Sequence, residues 1–380
     1  MIPRTIGHLL NERLDKFPAV LLTGPRQAGK TTLARSFSDL YFDLEQPQER
    51  IRLDLMWDDL SQGKGLIVLD EAQSFPDVFP RIRAEIDEYP RHKGRFLLLG
   101  SVSPSLMTHV SESLAGRLSL VELTPLLYSE LSRISLSDSW LFGGYPDGGV
   151  LTKGDLFPQW QSDYLNLLSQ RDLPNWGLPA RPQTTQRFLK MIAAVHGQPW
   201  NASQIASSMG LAHPTVNSYM DYLEGAFLVR RLPPYHANIR KRLRKTPKYY
   251  WRDTGLLHAV LQVAGRDHLL NQPWVGASWE GYVIEQVIGT LNAKGATFSP
   301  YFLRTSDNQE IDLLLDLGKE KWAIETKLTS RPSEHEFSAL DRIADLVHAR
   351  LRILISRTTD NVAGRRRISC SLPWFVNRFL

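Results

Sequence analysis

A chain of 380 residues exceeds what one ordinary hydrophobic core supports, so two or three domains are expected. Its 42% hydrophobic and 22% charged residues are those of a folded globular protein, and its longest apolar runs are strand-sized, which excludes membrane-spanning helices and points to a soluble, cytoplasmic protein. The net charge of +5 is modest, and a single cysteine, Cys370, excludes an intramolecular disulfide and any cysteine-rich zinc site.

Residues 1–125 read as a P-loop core. The run A-V-L-L-T at 19–23 is a strand, and Gly24, Pro25, Arg26, Gln27, Ala28, Gly29, Lys30 and Thr31 complete G-x-x-x-x-G-K-[ST] between it and a helix. Glycines let successive backbone N–H groups curl around phosphates, Lys30 reaches the β and γ oxygens, and the Thr31 hydroxyl sits on Mg²⁺. Thr32 opens the following helix, whose positive end faces the same anion. ATP and Mg²⁺ are therefore the expected cofactors. Strand-like runs follow at 40–44, 66–69, 96–99 and 118–123, separated mostly by helices, the pattern of a parallel sheet covered on both faces. The second of these ends in Asp70 and Glu71, a Walker B pair at the carboxyl end of a strand, where α/β sheets hold ligands. Asp70 is expected to hold Mg²⁺ through water and Glu71 to orient or deprotonate the attacking water. Ser101 stands where a sensor of the γ-phosphate would. Arg117, before the fifth strand, reads either as a finger for a neighbouring subunit's phosphate, which implies a ring of identical chains, or as half of a local salt bridge.

Residues 126–183 read as a helical lid over the nucleotide, broken at G-G-Y-P-D-G-G and ending at Arg171 and Asp172. In 184–260, Asn201 caps a helix with Gln204 at its third position, Gly210 ends it, and Pro214 opens a second helix. Val216, Tyr219 or Met220, and Leu223 face inward; Thr215, Asn217, Ser218 and Tyr222 face outward. Strands at 227–232 and 248–252 complete a winged helix-turn-helix. Between and within them lies a basic run without acidic residues: Arg230, Arg231, Arg240, Lys241, Arg242, Arg244, Lys245, Lys248 and Arg252. The run is expected to grip DNA phosphates while Thr215 and Asn217 approach a groove. The bland reading is a packing module with a solvated basic loop.

In 261–380, two strands at 310–317 and 321–328 meet at Gly318-Lys319. If the hairpin is symmetric about that pair, Asp312 lies opposite Glu325, and Glu325 shares a strand face with Lys327. Two carboxylates and a lysine then converge as in Mg²⁺-dependent nucleases, with Asp312 and Glu325 as metal ligands, Lys327 stabilising phosphate charge, and Glu280, on an amphipathic helix from about Trp279, as a further ligand. The competing reading is a cross-strand charge pair between Glu310 and Lys327.

On these residues, together with S-L-A-G-R, L-P-P-Y, R-D-T-G-L-L, W-E-G-Y-V-I-E, E-I-D-L-L-L and E-T-K, nearly the whole chain resembles a prokaryotic family of predicted AAA-type ATPases with a C-terminal domain of undefined function. The resemblance implies an α/β chain made of an AAA-type core with a helical lid, a winged helix and a restriction-endonuclease-like α/β domain. Gln170 departs from the acidic residue expected there. Two functions follow: an ATP-hydrolysing DNA-processing protein, acting on branched DNA as one option, or an ATP-gated DNA-binding regulator with an inactive nuclease-like domain.

Overall fold

A computed structural model of the chain describes residues 2–100, 113–235, 246–305 and 309–380. Ser101 and the basic residues Arg240, Lys241, Arg242, Arg244 and Lys245 lie outside the described residues. Five strands, β1 (Ala19–Thr23), β2 (Tyr41–Asp43), β3 (Ile67–Asp70), β4 (Phe96–Gly100) and β5 (Leu118–Glu122), form a parallel sheet in the order β2-β3-β4-β1-β5. Their continuous apolar sequences follow from burial on both faces. Along β1, Ala19 and Leu21 enter one core while Val20 and Leu22 enter the core on the other face. β1 sits between β4 and β5, so the loop leaving it emerges beside the tips of its neighbours. Gly24 is required there: at φ 148° a Cβ would lie 2.2 Å from the Leu123 carbonyl oxygen.

Beyond β5 the chain becomes helical, with helices Leu136–Phe142 and Gln159–Leu167 and a π-helical turn Leu168–Asp172. The Gly143-Gly144 break lets the chain pass against Asp253, whose Oδ2 accepts the Gly144 N–H at 2.7 Å; a Cβ on Gly143 would meet that carboxylate at 2.3 Å. Helix Ala202–Met209 is capped by Asn201, which accepts from the Gln204 N–H at 3.1 Å, and it ends at Gly210 with φ 67°. Helix His213–Gly225 buries Val216, Tyr219, Met220 and Leu223, the inward set expected from the sequence. The antiparallel pair β6 (Val229–Leu232) and β7 (Lys248–Trp251) follows. One core joins Tyr145, Tyr164, Leu165, Leu168 and Leu173 to residues of both helices and of β6 and β7. The stretch read as two modules therefore packs as one body.

The C-terminal part is a six-stranded sheet in the order β12-β13-β11-β10-β9-β8, made of β8 (Ser299–Arg304), β9 (Glu310–Asp316), β10 (Lys321–Thr326), β11 (Leu351–Ser356), β12 (Val362–Ala363) and β13 (Arg367–Ser371). The β9/β10 register runs from Lys321 opposite Asp316 to Ile324 opposite Leu313, which is the symmetric hairpin expected. Helices Val275–Ala293 and Leu372–Phe379 cover one face and Glu334–Leu346 the other. Helix Val275–Ala293 is not amphipathic as expected. It is buried on nearly every side because it lies between its own sheet and the segment that follows β5, where Gln286 Oε1 accepts the Tyr128 N–H at 2.8 Å.

Three members of the basic run are internal. Arg252 is ion-paired to Glu122, at the tip of β5, and to Glu285 at 3.2 Å; Arg230 also holds Glu285, donating through Nη2 at 3.0 Å. Lys248 is buried between Glu280 and Glu310. These side chains carry no phosphate-contact role: each is consumed by a carboxylate distant in sequence. Removing one partner of a buried pair strands the other. Arg252→Ala is expected to cost about 3 kcal/mol, the lower end of the usual range because Arg230 stays on Glu285. A melting temperature lowered by about 5 °C in thermal denaturation supports this, and an unchanged one contradicts it.

Candidate functional site

The P-loop leaves β1 and enters helix Lys30–Ala34, and a cavity of about 520 Å³ opens beside it. One wall is Arg26, Gln27, Gly29, Lys30, Thr31 and Thr32, with Glu71 at the tip of β3. The opposite wall comes from the helical region, with Pro146 and Asp147 after the double-glycine break and Tyr164, Arg171 and Asp172 along the following helix and π turn. The Lys30 ammonium donates to the Gly24 and Pro25 carbonyls, each at 2.9 Å. Burial lowers its pKa to about 8, against the opposing pull of Glu71 and Asp70. Thr31 Oγ1 donates to Asp70 Oδ2 at 2.6 Å, so the two groups read as Mg²⁺ ligands touch each other. Glu71 has a left-handed backbone (φ 48°), uncommon outside glycine, and its carboxylate accepts from Gln73 Nε2. Burial raises its pKa, opposed by Lys30.

Two residues shaping this site, Tyr41 and Arg4, gave no sequence signal. Tyr41 OH donates to Asp70 Oδ2 at 2.6 Å, from the neighbouring strand β2. Arg4 straps the loop from outside, donating to the Ala28 carbonyl at 2.9 Å, the Thr124 carbonyl at 2.6 Å and Glu130 at 3.0 Å. Asp172, buried, pairs with Arg26 at 3.1 Å and with Arg171 at 2.9 Å, joining the loop to the opposite wall. Arg26 is thus held by a carboxylate as well as lining the phosphate cavity. Arg117 does not line it: its guanidinium makes a bidentate contact with Asp87, at 2.7 and 3.0 Å. Asn217, read as outward, is half-buried and accepts from Trp200 Nε1 at 2.9 Å, which commits its side chain to packing; Thr215 is also half-buried.

The second cluster sits where helix Val275–Ala293 crosses β9. Oxygens of Glu280, Glu310 and Asp312 lie within 4.8 Å of one another. Asp312 Oδ2 accepts from Thr326 N–H at 2.8 Å and Thr326 Oγ1 at 2.9 Å, and burial beside Glu280 and Glu325 holds its pKa far above the carboxylate range. Glu325 accepts from Lys327 at 2.6 Å, which leaves its Oε2 buried without a partner. The cross-strand pair Glu310–Lys327 of the competing reading does not form. Glu310 is drawn to Lys248, which donates to Glu280 at 3.0 Å as well, and Tyr250 OH also donates to Glu280. Glu280 and Asp312 thus lie in one carboxylate group with Glu310, where the sequence reading places Glu325; Glu325 is paired with Lys327, and an ammonium from β7 already stands among the carboxylates.

Residues 16–132 match an AAA domain model, 133–267 match a domain of unknown function (DUF8612), and 275–375 match a second one (DUF4143). Uncharacterized protein Rv2008c of Mycobacterium tuberculosis is 41% identical over 349 residues, 91% of this chain and 78% of that protein, and Uncharacterized protein Mb2031c of Mycobacterium bovis matches with the same figures. The chain belongs to the family of these mycobacterial proteins. Its first domain is an AAA-type P-loop ATPase domain. Among solved structures, it is similar to the Walker-type ATPase PABY2304 of Pyrococcus abyssi, at 15% identity and TM-score 0.48, over 69% of this chain and 96% of that one. No helix among the described residues is long and apolar enough to cross a membrane.

The depressed pKa of Lys30 makes nucleotide binding depend on pH. The ammonium is favoured in the complex with an anion, so binding takes up a proton wherever the free protein has lost it. Affinity for ATP is expected to be full below pH 8 and to fall above it, approaching about tenfold per unit, in calorimetric titrations from pH 7 to 9. Flat affinity across that range contradicts the assignment.

Proposed function

We propose that this protein is an ATP-hydrolysing DNA-binding protein. The observation that carries the hydrolase part of the reading is the meeting of Lys30, Thr31 and Glu71 at one cavity, with Asp70 hydrogen-bonded to Thr31 beside it and helical segments on the opposite wall. Lys30 exchanges the Gly24 and Pro25 carbonyls for β and γ oxygens. Thr31 and Asp70, two adjoining hard oxygen donors, fit Mg²⁺, which supplies positive charge to those phosphate oxygens when bound. Glu71 takes a proton from the attacking water as its oxygen bonds to the γ phosphorus and the bond to the β-phosphate oxygen breaks, giving ADP and phosphate. Its raised pKa makes it a stronger base than an ordinary glutamate. Arg117, on an exposed pair that costs little to open, serves a neighbouring copy's phosphate in a ring.

The helix, glycine turn, helix and β6/β7 sequence supports a winged helix that docks DNA, with Arg231 and the basic residues 240–245 as its phosphate contacts. The C-terminal sheet with Asp312, Glu325 and Lys327 supports a restriction-endonuclease-like domain, which would cut DNA if its carboxylates took up Mg²⁺. A second reading, an ATP-gated DNA-binding regulator with an inactive nuclease-like domain, is favoured by one observation. Lys248 already neutralises Glu280 and Glu310, where a divalent ion would have to enter.

Glu71→Gln is expected to lower phosphate release at least about 100-fold while ATP binding persists. DNA binding is expected to weaken with salt, with a shallower slope once Arg240, Lys241, Arg242 and Arg244 are neutralised. Single-stranded, duplex, forked and four-way DNA incubated with Mg²⁺ separate the two readings. Cutting that Asp312→Asn abolishes identifies a processing enzyme, and intact DNA of every form identifies the regulator. Absence of any DNA binding contradicts both.

A further inference from the structure

The carboxylate cluster of the C-terminal sheet already holds a cation, and that cation is supplied from outside the sheet. Lys248 enters from β7, which pairs with β6 and not with the strands that carry Glu310 and Asp312. Its side chain is only 4% exposed, and its Nζ donates to Glu280 Oε1 at 3.0 Å and pairs with Glu310. The rings of Phe302 and Tyr250 flank the ammonium, with centroids 5.5 and 5.8 Å from Nζ. Lys327, by contrast, is 38% exposed and pairs with Glu325 beside this group. The segment after β6 is docked on the edge strand β8: Tyr235 N–H donates to the Phe302 carbonyl at 2.7 Å, and Phe302 N–H donates to the Pro233 carbonyl at 3.0 Å. The place of Lys248 among the carboxylates is therefore set by how the β6/β7 pair sits on the C-terminal sheet.

We propose that Lys248 is a resident cation standing where a divalent ion would bind, so that the C-terminal site takes up metal only when this ammonium is withdrawn. The proposal rests on the restriction-endonuclease-like reading above and names what keeps that site shut. An ion held by Glu280 and Glu310 would stand about 2.1 Å from their oxygens, on ground that Nζ covers by contacting both. Charge separates the two occupants as well. Glu280, Glu310, Asp312 and Glu325 face Lys248, Lys327 and Arg304, four carboxylates against three cationic side chains. A divalent ion added to this set leaves a buried excess of positive charge, whereas the same ion in place of Lys248 balances the carboxylates. Glu325 Oε2, buried without a hydrogen-bond partner, is a further hard oxygen for such an ion.

Mn²⁺ binding to the full chain without nucleotide, followed by calorimetry and by melting temperature, tests this. Only binding that Asp312→Asn removes is counted, which sets aside ions held near the P-loop. Lys248→Gln keeps N–H donors for Glu280 and loses the charge, and Lys248→Met keeps the length and loses both. Each is expected to bind Mn²⁺ at least about tenfold more tightly than the unaltered protein, and to melt about 5 °C higher with saturating Mn²⁺ than without it. The unaltered protein is expected to gain no Asp312-dependent stability from the ion. Asp312-dependent binding of equal strength in the unaltered protein and the variants overturns the role of Lys248 while the nuclease-like reading stands. Variants that neither bind Mn²⁺ nor are stabilised by it overturn both that role and the reading of the cluster as a metal site.

Discussion

Burial of one ammonium governs the arrangement of the first domain. Lys30 has left water, and its charge is tolerable only because the Gly24 and Pro25 carbonyls accept from it and Glu71 and Asp70 stand near. Those four partners come from two strand tips, β1 and β3, held at fixed spacing by β4 between them. Gly24 must be glycine for the loop to pass the Leu123 carbonyl. The loop is also tied from behind by Arg4 and from the front by the pairing of Arg26 with Asp172. A carbonyl-coordinated cation held this way is preorganised for an anion with better oxygens to offer, which is how sheet order becomes a phosphate site.

Charge also joins the parts of the chain. Glu122 ends β5, one residue pair from the start of the P-loop, and its carboxylate holds Arg252 of the segment leaving β7. Arg252 and Arg230 share Glu285 of the long C-terminal helix, and the adjoining Asp253 accepts from Gly144, just before Pro146 and Asp147 at the nucleotide cavity. One turn or so along the same helix, Glu280 meets Lys248 in the carboxylate cluster. The three parts of the chain therefore meet through ion pairs that share partners, Glu285 between Arg230 and Arg252 above all.

Much of this was legible in sequence because it is local. Continuous apolar runs marked the parallel strands, the Gly318-Lys319 turn set the β9/β10 register, and Asn201, Gly210 and Pro214 marked two helices by the chemistry of their ends. What escaped reading is non-local. Arg252 and Glu122 are 130 residues apart and Arg4 and Glu130 are 126 apart, so a run of basic residues read as free to grip phosphates when several have buried partners elsewhere. Lys248 read as part of a phosphate grip for the same reason, and its place among Glu280 and Glu310 changes the chemistry expected of the C-terminal cluster. Tyr41 was hidden differently: an aromatic residue in a strand gives no sign that its hydroxyl reaches a carboxylate on the next strand.

The central claim is that the cavity around Lys30 binds and hydrolyses ATP. Phosphate release from ATP with Mg²⁺, compared between the unaltered chain and Lys30→Ala with both shown to be folded, tests it most directly. The account predicts steady turnover in the first and loss of turnover by at least about 100-fold in the second. Equal rates in the two proteins, or no turnover in the unaltered chain with or without DNA, would contradict it.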